Sequence, residues 1–168
     1  MMAKNMKKDE IKIYTDGAAK GNPGKAGWGA VVLFRQNFGD PKGMHEIGGR
    51  VEYGTNNQME LTAPIEALKY LARQDLAKVN VEIISDSKYV ILGITEWIFN
   101  WQKNNWRNAN KKPVLNRELW EKLYELTQEF KPKWTYVKGH NEHEHNDRAD
   151  LIATSFAEGE PVKLKNAR

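Results

Sequence analysis

Hydrophobic and polar positions alternate with a period of two from residue 11. Ile11, Ile13 and Thr15 stand against Lys12, Tyr14 and Asp16. That spacing, with its β-branched side chains, predicts a strand. The strand is expected to stop at Gly17, because Gly21-Asn22-Pro23-Gly24 is turn chemistry. Residues 27–35 (GWGAVVLFR) and 44–53 give two more strands, separated by Gly39-Asp40-Pro41-Lys42-Gly43. Gly48-Gly49 predicts a bulge in the third. Three consecutive strands with short connections make an antiparallel meander.

The period then changes. Residues 55–73 carry Leu61, Ile65, Leu68 and Ala72 at helical spacing. Asn57 suits an N-cap, with Glu60 three residues on as in a capping box. Pro64 has no N–H for the Glu60 carbonyl, which predicts a local kink beside that glutamate. Residues 79–85 form a fourth strand ending at Asp86, parallel to the first because a helix precedes it. Residues 86–104 read as helix in two pieces broken near Gly93, and 105–114 as a polar loop. Asn116 caps a helix with the stripe Leu119, Leu123, Leu126 and Phe130. Residues 133–138 make a fifth strand and 139–145 a loop. A last helix over 146–157 turns Ala149, Ile152, Ala153 and Phe156 inward, and the tail from Glu158 is polar. The expected architecture is one α/β domain over residues 1–168, with its core in 11–157. Its mixed five-stranded sheet, three antiparallel strands then two parallel, is flanked by helices.

With 168 residues, 40% of them hydrophobic, the chain has material for one core. It has no cysteine, which excludes disulfides, thiolate zinc sites and cysteine nucleophiles and fits a reducing compartment. Residues 1–10 hold lysines but no apolar run, so no signal peptide is expected, and nothing approaches the length of a membrane span. A net charge of +4 and a pI near 9.1 suit a polyanionic partner without requiring one.

The candidate chemistry lies in acids. Asp16 and Asp86 each end a strand; if those strands are parallel neighbours, both carboxylates reach the sheet edge where α/β folds bind ligands. Glu60 opens a helix and Asp150 lies in the last one. Clustered acids repel unless a cation neutralises them, and oxygen donors select hard ions such as Mg²⁺ or Mn²⁺. Two such ions about 4 Å apart can clamp the attacking and leaving oxygens of a phosphodiester. Each acid also has a plainer reading: turn residue, capping box, N-cap and exposed helix face, in that chain order.

His140, His143 and His145 share one loop, but a zinc site there has neither cysteine nor HExxH spacing to support it. From Trp97 to Arg117 there are five basic residues (Lys103, Arg107, Lys111, Lys112, Arg117), no acid, and interleaved Trp101 and Trp106. Cations neutralise phosphate and aromatic faces pack on sugars or bases. Trp101 and Trp106 read as core, whereas Trp97 fits either role. The P-loop pattern fails at Ala19 and Ala26, and no G-x-S-x-G elbow is present.

Taken in order, TDGAAKGNPG, TNNQMEL, SDSKYV and VKGHNEHEHNDRADLIA, with the Trp-rich segment before KKPVLNRELW, resemble type 1 ribonuclease H from about residue 11 to 157. The resemblance implies hydrolysis of the RNA strand of an RNA–DNA hybrid, leaving 5′-phosphate and 3′-hydroxyl ends. It implies two Mg²⁺ (or Mn²⁺) ions with substrate bound. Asp16 would bridge them, with Glu60 and Asp86 completing one site and Asp150 the other. His140 would assist proton transfer or product release, while His143 and His145 remain solvated loop residues. Asn22, Asn56 and Asn57 would read the hybrid minor groove, where amides both donate and accept. Thr55 and Asn116 would hold a DNA phosphate; Tyr89 and Trp97 would line the DNA channel. The basic handle is diluted by Gln102, Asn104, Asn105 and Asn108. The implied enzyme is cytoplasmic and monomeric, with no membrane and no obligate protein partner. Two alternatives stand beside it: a non-catalytic hybrid-binding module, and a transposase- or integrase-like nuclease of the same fold.

Overall fold

A computed structural model describes residues 10–35, 41–76, 79–139 and 143–167. The meander is β1 (Glu10–Lys20), β2 (Gly24–Arg35) and β3 (Pro41–Gly54). Then come α1 (Asn56–Arg73), β4 (Asn80–Ser85), α2 (Lys88–Leu92), a π-helical turn (Gly93–Trp97) and α3 (Ile98–Lys103). The chain continues with α4 (Arg117–Phe130), β5 (Lys133–Tyr136), α5 (Glu144–Glu158) and a two-residue β6 (Asn166–Ala167). The sheet order is β5-β4-β1-β2-β3-β6. The five predicted strands are mixed as expected, with β1–β2 and β2–β3 antiparallel and β1–β4 and β4–β5 parallel.

The first strand does not stop at Gly17. Its pairing with β2 runs on to Lys20↔Lys25. Its pairing with β4 does end early, at Thr15↔Ser85, so Asp16 and Asp86 are the first residues beyond the parallel ladder. Nor do Gly48 and Gly49 form a bulge: they pair in register with Gly29 and Trp28, and the register shifts fall at Gly24/Ala26 and Phe34/Arg35. These glycines make room instead. A methyl group on Gly29 would sit 2.7 Å from Ile152 and 2.8 Å from the Ala149 carbonyl oxygen. Small residues let α5 lie close on β2 and carry Asp150 toward β1.

Two cores follow from the strand alternation. Ile11, Ile13, Val32, Val81 and Ile83 face Leu61, Ile65, Leu68, Leu71, Trp120 and Leu123 on one side. Val31 and Leu33 face Ala149 and Ile152 on the other. Leu71 takes the inward place expected of Ala72, which is exposed. Pro64 is buried within α1, which is continuous through it. The helix after β4 is not broken at Gly93 either. It widens into the π turn there, and the missing side chain lets the Trp120 ring lie on the backbone. The Trp120 indole nitrogen is buried without a hydrogen-bond partner.

The polar tail is tied down. Glu46, whose side chain is fully buried, accepts from Arg148 Nε and Nη2 at 2.9 Å each and from the Lys165 amide at 2.7 Å. Arg148 also donates to the Lys163 carbonyl, and the Glu46 amide to that of Lys165. Burial alone would raise the Glu46 pKa, but the Arg148 bonds, the Lys165 amide and the adjacent positive charge hold it below its ordinary value. Val162 and Leu164 then pack on the α5-side core, and β6 pairs with Met44 and His45. Glu46→Ala strands Arg148 and frees the tail. We expect it to destabilise the protein by about 3 kcal/mol, read as a lower urea midpoint, with the tail becoming protease-sensitive.

Candidate active site

Each acid reaches the site by a separate constraint. Asp16 and Asp86 are neighbours because their strands are parallel and in register to the preceding residue. Glu60 is brought in by Gly17, where β1 meets the start of α1. A methyl group on Gly17 would fall 2.5 Å from the Glu60 nitrogen and the Met59 carbonyl carbon. Only glycine allows this approach. Glu60 is also not part of the capping box. Thr55 is the N-cap, its Oγ1 accepting from the Gln58 amide while Gln58 Oε1 accepts from the Thr55 amide. The box one register earlier leaves Glu60 free. Asp86 likewise leaves capping to Ser87, which accepts from the Val90 amide.

Asp16, Glu60 and Asp86 each offer an oxygen, and these atoms all lie within 4.8 Å of one another. Asp150 stands outside that set among the described residues, half-buried on α5, yet its charge acts on both Asp16 and Glu60. Burial, then the charge of Asp86, then that of Asp150, push Asp16 up from 3.8 to about 8, against the Gly17 amide donating to Oδ1 at 2.8 Å. Burial and the charge of Asp16 raise Glu60 well above its ordinary value. The hydrogen bond between the two favours ionised Asp16 and protonated Glu60. Glu60 Oε2 is buried without a hydrogen-bond partner. An all-oxygen donor set, crowded, partly buried and holding an unsatisfied oxygen, fits a hard divalent cation.

A polar wall adjoins this cluster through α1. Asn22 Oδ1 accepts from the Asn56 amide at 3.0 Å, joining the β1–β2 turn to the helix start. Asn56 and Asn57 are exposed. Gln58 Nε2 donates to Asn116 Oδ1 at 3.4 Å, and Asn116 Nδ2 to the Tyr89 hydroxyl at 3.1 Å. Tyr89 meets Trp97 edge-on at 6.3 Å. The structure therefore joins Thr55, Asn116, Tyr89 and Trp97 in one network. Its hub, Gln58, was missed by sequence reasoning; the T-x-x-Q spacing at 55–58 was the available signal. Asn116 does occupy the N-cap of α4, but its side chain makes no capping bond.

Trp106 is buried and Trp101 packs on the core between Trp97, Trp106 and Trp120, as expected of structural rings. Trp97 is 38% exposed and available at the surface. Arg107 is engaged with the Lys111 carbonyl, and Arg117 lies over the Trp106 ring. His140 lies outside the described residues. His143 and His145 are not in a loop centre: α5 starts at Glu144, His143 is its N-cap residue, and His145 packs against Tyr14 at 5.3 Å between ring centroids.

Carboxylates at the carboxyl end of a parallel strand pair, beside amides and aromatic rings, are the working parts of a metal-dependent nuclease. Comparison with known proteins gives the family. The RNase H family model matches residues 8–158. Ribonuclease H of Thermosynechococcus vestitus is 46% identical over 154 residues, covering 91% of this chain and 92% of that protein. LC9-RNase H1, a type 1 RNase H with the type 2 active-site motif, matches with TM-score 0.79 at 23% identity, over 96% of this chain and 79% of that one. LC11-RNase H1, solved in complex with an RNA/DNA hybrid, matches with TM-score 0.64 at 26% identity, over 89% of this chain and 97% of that one. This chain belongs to the ribonuclease H family and is a nuclease.

The raised acids carry a stability consequence. Asp16 ionises near 3.8 when unfolded and at about 8 in the metal-free fold. Between those values the folded state binds the additional proton. Stability is therefore full below the lower pKa and is lost as pH rises toward the higher one. In chelator, thermal scans should show Tm falling from pH 5 to pH 8. Asp16→Asn should flatten that slope and raise Tm at pH 8 by on the order of 5 °C.

Proposed function

We propose that the protein cuts the RNA strand of an RNA–DNA hybrid endonucleolytically, with water as nucleophile and 5′-phosphate and 3′-hydroxyl products. The observation that carries this reading is the carboxylate cluster of Asp16, Glu60 and Asp86, with Asp150 acting on it electrostatically. Two divalent ions, Mg²⁺ or Mn²⁺, held by these four acids supply a polarised phosphate and a more acidic water when bound.

The chain's own residues do the rest. Asp16, on which the charges of both Asp86 and Asp150 act, would be the ligand common to both ions, with Glu60 and Asp86 completing one site and Asp150 the other. The amides of Asn22, Asn56 and Asn57 read 2′-hydroxyls and base edges, which makes the ribose strand a requirement. Thr55 and Asn116 hold a phosphate of the deoxy strand, and Tyr89 and Trp97 pack on its sugars. Lys103, Lys111 and Lys112 add a salt-dependent attraction for the backbone. His140 moves a proton at the scissile phosphate or speeds product departure. The chain acts as a single catalytic domain over residues 1–168, monomeric and cytoplasmic.

The decisive assay follows one end-labelled RNA hybridised to DNA, paired with RNA, and single-stranded, each with Mg²⁺ and with chelator. Cutting is expected only in the hybrid and only with metal, and Asp86→Asn should abolish it while hybrid binding persists. Binding without cutting, in Mg²⁺ and in Mn²⁺, would instead identify a hybrid-binding module. His140→Ala should lower kcat at least tenfold with less than a threefold change in hybrid affinity, a split expected of general acid–base assistance. Equal losses in both would remove His140 from the reaction.

A further inference from the structure

We propose that Gln58 is a positioning residue that turns the Thr55–Asn116–Tyr89 cluster into an uncharged, donor-only cradle for one phosphate oxygen of the DNA strand. The inference rests on the phosphate reading of Thr55 and Asn116 given above and adds the residue that makes it work.

The orientation is dictated from the backbone outward. The Thr55 amide can only donate, and it donates to Gln58 Oε1 at 2.9 Å. That contact fixes which end of the Gln58 amide is nitrogen. Nε2 therefore faces Asn116 and donates to Oδ1. Asn116 is turned in consequence, with Nδ2 donating to the Tyr89 hydroxyl. The Tyr89 oxygen is thus an acceptor within the network, and its own proton is left to point outward. Thr55 Oγ1 accepts from the Gln58 amide, so its proton is left outward as well. Asn116 Nδ2 keeps a second N–H. Three donors remain: Thr55 O–H, Asn116 N–H and Tyr89 O–H. The amide oxygens of Gln58 and Asn116 are already engaged as acceptors within the network. An anion is the complement of such a surface, and a phosphate oxygen accepts several hydrogen bonds at once.

Asn116 supplies an independent observation. It sits at the N-cap of α4, where an asparagine side chain ordinarily accepts from its own helix. Here the backbone is left-handed, at φ 64° and ψ 29°, and the side chain makes no capping bond. Asparagine is among the few residues that adopt this conformation readily. The usual use of the side chain is given up, and the amide is aimed at Gln58 and Tyr89 instead. Gln58, Asn116 and Tyr89 are all half-buried, so the network is partly shielded from water and partly open to a ligand.

The chemistry suggests a discriminating substitution. Gln58→Glu has the same shape and keeps the acceptor for the Thr55 amide, so the capping box survives. It replaces the Nε2 donor with an acceptor. Asn116 must then reverse, presenting its oxygen toward Tyr89 and withdrawing its outward N–H. Gln58→Met keeps the length without charge or hydrogen bonds and separates lost orientation from new repulsion.

The test is a scan of single methylphosphonates through the DNA strand of a hybrid, reading KM, kcat and binding for the wild type and both variants. In the wild type, one position should raise KM about tenfold with kcat within twofold. In Gln58→Glu, the unmodified hybrid should already show that loss, and the methylphosphonate at the same position should add less than twofold. All other positions should behave as in the wild type. Gln58→Met should show the same collapse of sensitivity at that one position. If either variant fails to fold, Asn116→Asp, which also removes the outward donor, is expected to give the same pattern. A sensitive position that stays fully sensitive in Gln58→Glu and Gln58→Met overturns the role of Gln58 and leaves the phosphate reading standing. No sensitive position in the wild type overturns both.

Discussion

Three carboxylates within 4.8 Å of one another repel, and the placement of the elements around them is what keeps Asp16, Glu60 and Asp86 together. No one contact could do it. The parallel ladder, six residue pairs long and ending at Thr15↔Ser85, fixes Asp16 beside Asp86. The close approach of Gly17 to the Met59 and Glu60 backbone clamps the first turn of α1 on the same spot. The bare surface at Gly29 lets α5 come down from the other side of the sheet with Asp150. Each clamp is backed by one of the two cores, so the apolar packing of Leu61, Ile83 and Ile152 is what opposes the electrostatic strain. In the absence of metal, a proton takes the place of the cation, which is why burial and like charge raise Asp16 and Glu60 together. A proton and a divalent cation would relieve the same repulsion among these acids.

The strands and most helix faces were legible in the chain because they rest on local periodicity. Ile11, Ile13 and Thr15 are inward, as alternation predicts, and Leu123, Leu126 and Phe130 form the inner face of α4. The errors arise where two residues offered the same local chemistry or where partners lie far apart in sequence. Both Thr55 and Asn57 can cap a helix, and both have a Glu or Gln three residues on; only the packing of α1 selects the earlier register. Leu71 and Ala72 are adjacent and both apolar, and the rotation set by β1 chooses the larger. The tail from residue 158 looked merely polar because its anchor, Glu46, is more than a hundred residues away. For the site, spacing alone could place Asp16 and Asp86 at strand ends but could not bring Glu60 to them. That step came from the likeness of the motifs to a family, and the structure supplies its physical cause in Gly17.

The division of labour between charge and neutral hydrogen bonding completes the picture. Among the described residues, the side-chain charges that act on Asp16 and Glu60 are those of carboxylates. A cation fixed beside these acids would satisfy them permanently and compete with divalent ions for the same oxygens. The wall next to the cluster is built from Asn22, Asn56, Gln58, Asn116, Thr55 and Tyr89, uncharged groups joined to one another by hydrogen bonds. The basic side chains lie farther along the chain, in the stretch from Lys103 to Arg117, and there Arg117 is paired with Glu121 and stacked on Trp106. A wall of neutral groups leaves the negative charge of the adjoining acids unquenched.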